Sequence, residues 1–140
     1  MEEINENEED EIIPNLWIGG IESAKNINFF KQKNIKYVIN LTSEIPNYFT
    51  NITYLNIPIT VNQLDISESE TKSKSIFDIT NKFILHALKE NSGILVHCRS
   101  GHNRAASIIA AFLMKYLNMD QESVTQYIKS IRPLVFNKKQ

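Results

Sequence analysis

Apolar and polar positions along the chain alternate between two periods, and the changes of period mark out its elements. Residues 12–18 read as a strand that Gly19-Gly20 ends, and residues 23–33 place Ile27, Phe29 and Phe30 on one helical face. A buried strand is predicted over 35–41, a loop over 42–50 and another strand over 53–59. Over 72–89, Ile76, Ile79, Phe83, Ile84 and Leu88 fall at helical spacing, and Ser92-Gly93 closes that helix. A short strand over 94–97 and helices over 105–117 and 121–130 complete the pattern. Strands interleaved with helices imply a single α/β domain, with a central, mixed but mostly parallel sheet flanked by helices. Its working loop should lie at a strand's carboxyl end.

One junction stands out. The apolar run 94–96 ends at His97 and is followed by Cys98-Arg99-Ser100-Gly101-His102-Asn103-Arg104, after which the helical pattern begins at Ala105. Strand, polar loop and helix in this order bring backbone N–H groups and the positive end of a helix dipole to one point, an anion site. A thiol at a helix entrance is stabilised as thiolate, which makes Cys98 a candidate nucleophile. Arg104 offers a planar fork for two oxygens of a phosphate. Gly101 permits a positive φ and close approach of the backbone, and Asn103 is placed to cap the helix. The ring of His97 is expected to be hydrogen-bonded beneath the loop, helping to position Cys98, and not to exchange protons with substrate. For an arbitrary lone cysteine the bland reading, a small buried hydrophobe, would win; its setting between His97 and a Gly-Arg loop favours phosphate chemistry.

Charge and composition narrow the picture further. Residues 1–11 hold seven acids and no base, and are expected to form a mobile acidic tail ahead of a domain over 12–140. Removing seven negative charges from a net −1 leaves +6 for residues 12–140, a balance that favours anionic ligands. No basic stripe with interleaved aromatics points to nucleic acid, no apolar run reaches the length of a membrane span, and the amino end lacks the basic character of a targeting peptide. With one cysteine and three histidines (His86, His97, His102) at no zinc-like spacing, neither a metal nor a cofactor is expected. A single cysteine also precludes an internal disulfide, so the cytosol or nucleus is the expected location.

The His-Cys-x5-Arg run resembles the signature of cysteine-dependent phosphatases, and the chain from about residue 12 to 137 resembles the dual-specificity family. Ile13-Pro14-Asn15-Leu16-Trp17-Ile18-Gly19 looks like that family's opening strand, Tyr37-Val38-Ile39-Asn40-Leu41 like its next core strand, and Tyr54-Leu55-Asn56-Ile57-Pro58-Ile59 like the strand before its acid loop. Ala111-Phe112-Leu113-Met114-Lys115-Tyr116 and Ile131-Arg132-Pro133 fit downstream. The resemblance implies phosphorylated proteins as substrates, attack by Cys98, and phosphate held by residues Arg99, Ser100, Gly101, His102, Asn103 and Arg104.

Two positions depart from the family. The aspartate that protonates the leaving oxygen would align with Val61, which has no proton to give; Asp65 is the candidate substitute, unless it merely begins or caps the next helix. Ala105 stands where family members carry Ser or Thr, the hydroxyl that eases release of the sulfur. Regenerating-liver phosphatases, a slow subgroup, also have Ala there. The resemblance thus implies hydrolysis of phosphotyrosine and phosphoserine or phosphothreonine with attenuated turnover. Two alternatives stay open: a phosphate-binding relative with little activity, and a phosphoinositide-type phosphatase in which Arg99 and His102 supply extra cations. The family's further C-terminal helix after the position of Asn137 has no counterpart in 137–140; two expectations stay open, apolar surface exposed to a partner or to weak self-association, or a chain truncated at this point.

Overall fold

The computed structural model describes residues 6–59 and 71–137, the first four of the latter as backbone only. In chain order the elements are β1 (Glu9–Ile13), β2 (Leu16–Gly19), α1 (Ile21–Ala24), α2 (Ile27–Gln32), β3 (Ile35–Asn40), β4 (Thr53–Asn56), α3 (Thr71–Lys89), β5 (Gly93–His97), α4 (Arg104–Tyr116) and α5 (Gln121–Ile131). The strands form one sheet in the order β1-β2-β5-β3-β4, in which β1 runs antiparallel to β2 and every other pairing is parallel. This is the expected mixed, mostly parallel sheet.

Strand β5 sits at the centre and is buried along its whole length. Its side chains alternate between faces, as the pleat requires. Ile94 and Val96 join the larger core with Leu16, Ile18 and Ile39, beneath α3, α4 and α5. Leu95 points to the other face, where Val38, Ala24, Phe29 and Phe30 form a smaller aromatic-rich core beneath α1 and α2. Trp17, Phe29, Phe30 and Phe49 meet there edge to face. Helix α4 buries Ala105, Ala106, Ile108, Ile109, Ala110, Phe112 and Leu113, so its amino end is locked against the sheet immediately after β5.

Three local features differ from the sequence expectation. The single strand over 12–18 is a hairpin, because Asn15 takes a positive φ of 72° and turns the chain between Ile13 and Leu16. The helix over 23–33 is two short helices, because Asn26 leaves helical geometry and caps α2 by accepting the Phe29 N–H at 3.1 Å. The acidic segment expected to be mobile through Glu11 is folded from Glu6 onward: it contributes β1, buries Ile12, and places Asp10 at 8% exposure against the buried Arg132. Asparagine also does much of the work usually given to glycine. Asn34, Asn91 and Asn118 follow α2, α3 and α4 with φ near 55°, the left-handed geometry that ends a helix.

Candidate active site

The carboxyl end of β5 delivers His97 and Cys98 to the rim of the sheet, and β3 holds the other side of that rim. The Leu41 N–H donates to the His97 carbonyl at 3.1 Å. Cys98 is 2% exposed, at the base of the loop, and its Sγ accepts the Gly101 N–H at 3.3 Å. A main-chain donor therefore already points at the sulfur. Gly101 has φ +77°, and a Cβ there would lie 2.6 Å from the Gly19 carbonyl oxygen. Gly20 backs the other side of the loop, where a Cβ would come within 2.6 Å of the Arg99 carbonyl oxygen. The Ile21 N–H donates to that same oxygen at 3.0 Å, which pins the loop to the start of α1.

Helix α4 begins at Arg104 with an open end. Asn103, expected to cap it, has helical backbone angles (φ −111°, ψ −60°) and makes no capping bond; its Nδ2 donates instead to the Asn137 carbonyl at 3.1 Å. An N-cap side chain needs extended backbone geometry to reach back to the first-turn N–H groups. Without it, those donors stay available for an anion. Arg104 Nη1 donates to the carbonyls of Leu41 at 3.3 Å and Ile59 at 3.1 Å, which ties the guanidinium to the ends of β3 and the strand that follows it. Among the described residues its Nε and Nη2 make no hydrogen bond, leaving one edge of the fork free.

His97 is 1% exposed, and its Nδ1 lies 3.4 Å from the Cys98 carbonyl. Burial, and then the field of Arg104, outweigh that hydrogen bond and lower the imidazole from 6.5 to about 4. The ring is neutral at physiological pH and braces the loop from below.

The dual specificity phosphatase catalytic-domain family model matches residues 16–140. The chain belongs to this family. It is 31% identical over 126 residues to a Slingshot protein phosphatase homolog of Xenopus laevis, covering 89% of this chain and 17% of that protein. It is 30% identical over 120 residues to human dual specificity protein phosphatase 9, covering 85% and 30%. The chain thus spans less than a third of either relative. Among solved structures, human DUSP28 superposes with a TM-score of 0.81 at 19% identity, covering 95% of this chain and 86% of that one. PTPMT1 in complex with PI(5)P gives 0.74 at 16% identity, covering 92% and 86%. At such identities the structures speak for the fold alone.

Within this domain, the other loop side chains make contacts away from the sulfur. Arg99 Nε pairs with a Glu44 carboxylate oxygen at 3.4 Å on the exposed rim. The Glu44 carboxyl lies below its ordinary value through its own backbone hydrogen bond, despite some desolvation, with help from Arg99 and Arg104. The His102 ring is bonded to Glu6 and its carbonyl accepts the Phe136 N–H at 3.0 Å. Burial opposes the charge of Glu6, but bonds from His102 and the Leu134 N–H, with the field of Arg132, leave its carboxyl below the ordinary value. Arg99 and His102, the two residues of the phosphoinositide alternative, each lie beside a carboxylate, Arg99 on the exposed rim and His102 half-buried. Ser100 meets the loop's support through its carbonyl, which accepts from Arg132 Nη2 at 3.0 Å. Asp65 and Val61 lie outside the described residues.

In the sequence, Arg132 stands out only as a point of family likeness. In the structure it is 3% exposed and also donates through Nε to the Gly101 carbonyl at 3.0 Å. The available signal was an arginine at the end of an amphipathic helix, immediately before a proline. Asn40 was likewise missed: its side chain organises the loop after β3, accepting from the Thr42 N–H at 3.0 Å and donating to the Ile45 carbonyl at 2.7 Å.

Proposed function

We propose that this domain is a protein phosphatase that hydrolyses phosphotyrosine and phosphoserine or phosphothreonine through a phosphocysteine at Cys98, with slow turnover. The carrying observation is the Gly101 N–H directed at the Cys98 sulfur beneath the uncapped amino end of α4. Phosphate oxygens would take the loop N–H groups and the free edge of Arg104, whose hold strengthens as charge builds during transfer. The sulfur attacks phosphorus, a P–S bond forms as the P–O ester bond breaks, and the leaving oxygen takes a proton. Water then attacks phosphorus and the thiolate departs. Asp65 is the proposed proton donor. Ala105, fully buried at the start of α4, has no hydroxyl to assist the departing sulfur, which supports slow hydrolysis of the intermediate. Thiolate chemistry fits a reducing compartment such as cytosol or nucleus.

That same alanine favours a second reading, a module that captures phosphoproteins with little turnover. The phosphoinositide alternative draws support from the fold of PTPMT1 in complex with PI(5)P and from Arg99 on the exposed rim, although Glu44 stands beside that arginine.

The test uses leaving groups. Nitrophenyl phosphate needs little acid help and should be hydrolysed slowly, with all activity lost in Cys98→Ser; alkyl phosphate esters should be far poorer substrates. Tungstate stabilisation with no product burst would favour the binding module. Equal losses on phosphopeptide and inositol phosphate in Arg99→Ala would dismiss the lipid reading.

A further inference from the structure

The peptide joining Ser100 to Gly101 carries information at both ends. Its carbonyl accepts from Arg132 Nη2 at 3.0 Å, while its N–H donates to Cys98 Sγ at 3.3 Å. Carbonyl and N–H of a trans peptide point in opposite directions, and the described chain holds no cis bond. Arg132 Nε takes the next carbonyl, that of Gly101, at 3.0 Å. With its carbonyl drawn to the guanidinium, the Ser100–Gly101 peptide turns its N–H toward the sulfur. A flip of the first peptide would set a carbonyl oxygen against the thiolate and destroy the anion site.

The guanidinium is held in turn by the acidic amino-terminal segment. Arg132 Nη1 donates to Asp10 Oδ2 and to the Asn7 carbonyl, each at 2.8 Å. A second strut lies beside it: one Glu6 oxygen is bonded to the His102 ring, and the other accepts the Leu134 N–H at 2.9 Å. Neither carboxylate is bonded to Cys98, yet each fixes a group belonging to, or bound to, the loop.

We infer that Asp10 and Glu6 are positioning residues which, acting through Arg132 and His102, keep the Gly101 N–H directed at the Cys98 sulfur. The inference rests on the phosphatase reading above. A buried guanidinium needs a counter-charge to stay in place, and Asp10 supplies it at 8% exposure. Removing that carboxylate frees the arginine to seek water and releases both carbonyls.

The experiment follows the reactivity of Cys98 and does not depend on turnover. In Asp10→Asn, iodoacetamide alkylation at pH 6 should slow about tenfold, and tungstate should protect the thiol about tenfold less tightly, the loss expected when a charge-assisted hydrogen bond is weakened. The difference from wild type should shrink at high pH, as an ordinary thiol of pKa about 8.5 ionises without help from the loop. Asp10→Glu should restore most of the reactivity, and Glu6→Gln should show a smaller shift in the same direction. A merely structural carboxylate would lower the melting temperature without moving the pH profile. Folded variants with wild-type profile and protection overturn the brace alone. A wild type that alkylates like a free thiol and ignores tungstate overturns the phosphatase reading and the brace with it. Should Asp10→Asn fail to fold, Glu6→Gln decides the matter by the same two measurements.

Discussion

Taking this protein from pH 7 to pH 4 is expected to cost about 3 kcal/mol through His97 alone. The imidazole is lowered from 6.5 to about 4 in the folded state by burial first and by Arg104 second. Between those two values the unfolded chain binds a proton there that the folded chain refuses, so stability falls as the pH drops. The contribution is complete above pH 6.5, is lost progressively below it, and levels off beneath pH 4. At about 1.4 kcal/mol for each tenfold change in proton affinity, the interval corresponds to the figure given. The assay is urea unfolding of wild type and His97→Gln at half-unit steps across this range. Carboxylates titrate in both proteins, so the difference in unfolding free energy isolates the histidine, and it should narrow by about 3 kcal/mol as the pH falls. A difference that stays flat would mean that the folded site accepts the proton without penalty, and the argument from desolvation would fail.

Gly101→Ala should lose about 2–4 kcal/mol of stability and its tungstate binding, since a left-handed φ and a Cβ 2.6 Å from the Gly19 carbonyl oxygen act together. A urea midpoint close to wild type would show that the loop has slack. Ala105→Ser places a hydroxyl at the start of α4 and should speed the second step about tenfold, seen as a smaller burst and faster steady state with nitrophenyl phosphate. No change in either would put the slow step elsewhere. Asp65→Asn should lower turnover of phosphoserine peptides by about 10²–10⁴ while changing aryl ester rates little. Equal losses on both substrates would argue against Asp65 as the proton donor.

Much of the architecture could be read from the chain because it is written locally. The run 94–97, the polar loop and the apolar helix over 105–117 emerge as β5, the sulfur-bearing turn and α4, within a residue of their expected ends. Periodicity is a property of neighbouring residues, and a buried central strand leaves an uninterrupted apolar run. The hairpin at Asn15 and the break at Asn26 escaped notice because asparagine, ordinary in a loop or on a helix surface, here adopts the turn and cap geometries more often given to glycine or serine.

What the amino-acid order determined without help was the sheet with its flanking helices, the nucleophile candidate and the arginine that opens α4. Only the fold decided which charges are spent on structure. A run of seven acids reads as a solvated tail because its partners, Arg132 and His102, lie about a hundred residues away in sequence. Asn103 reads as a cap until its backbone is set by the loop and its amide is drawn to Asn137. Charge pairing depends on distance in space and on exclusion of water, and neither exists until the strands have assembled.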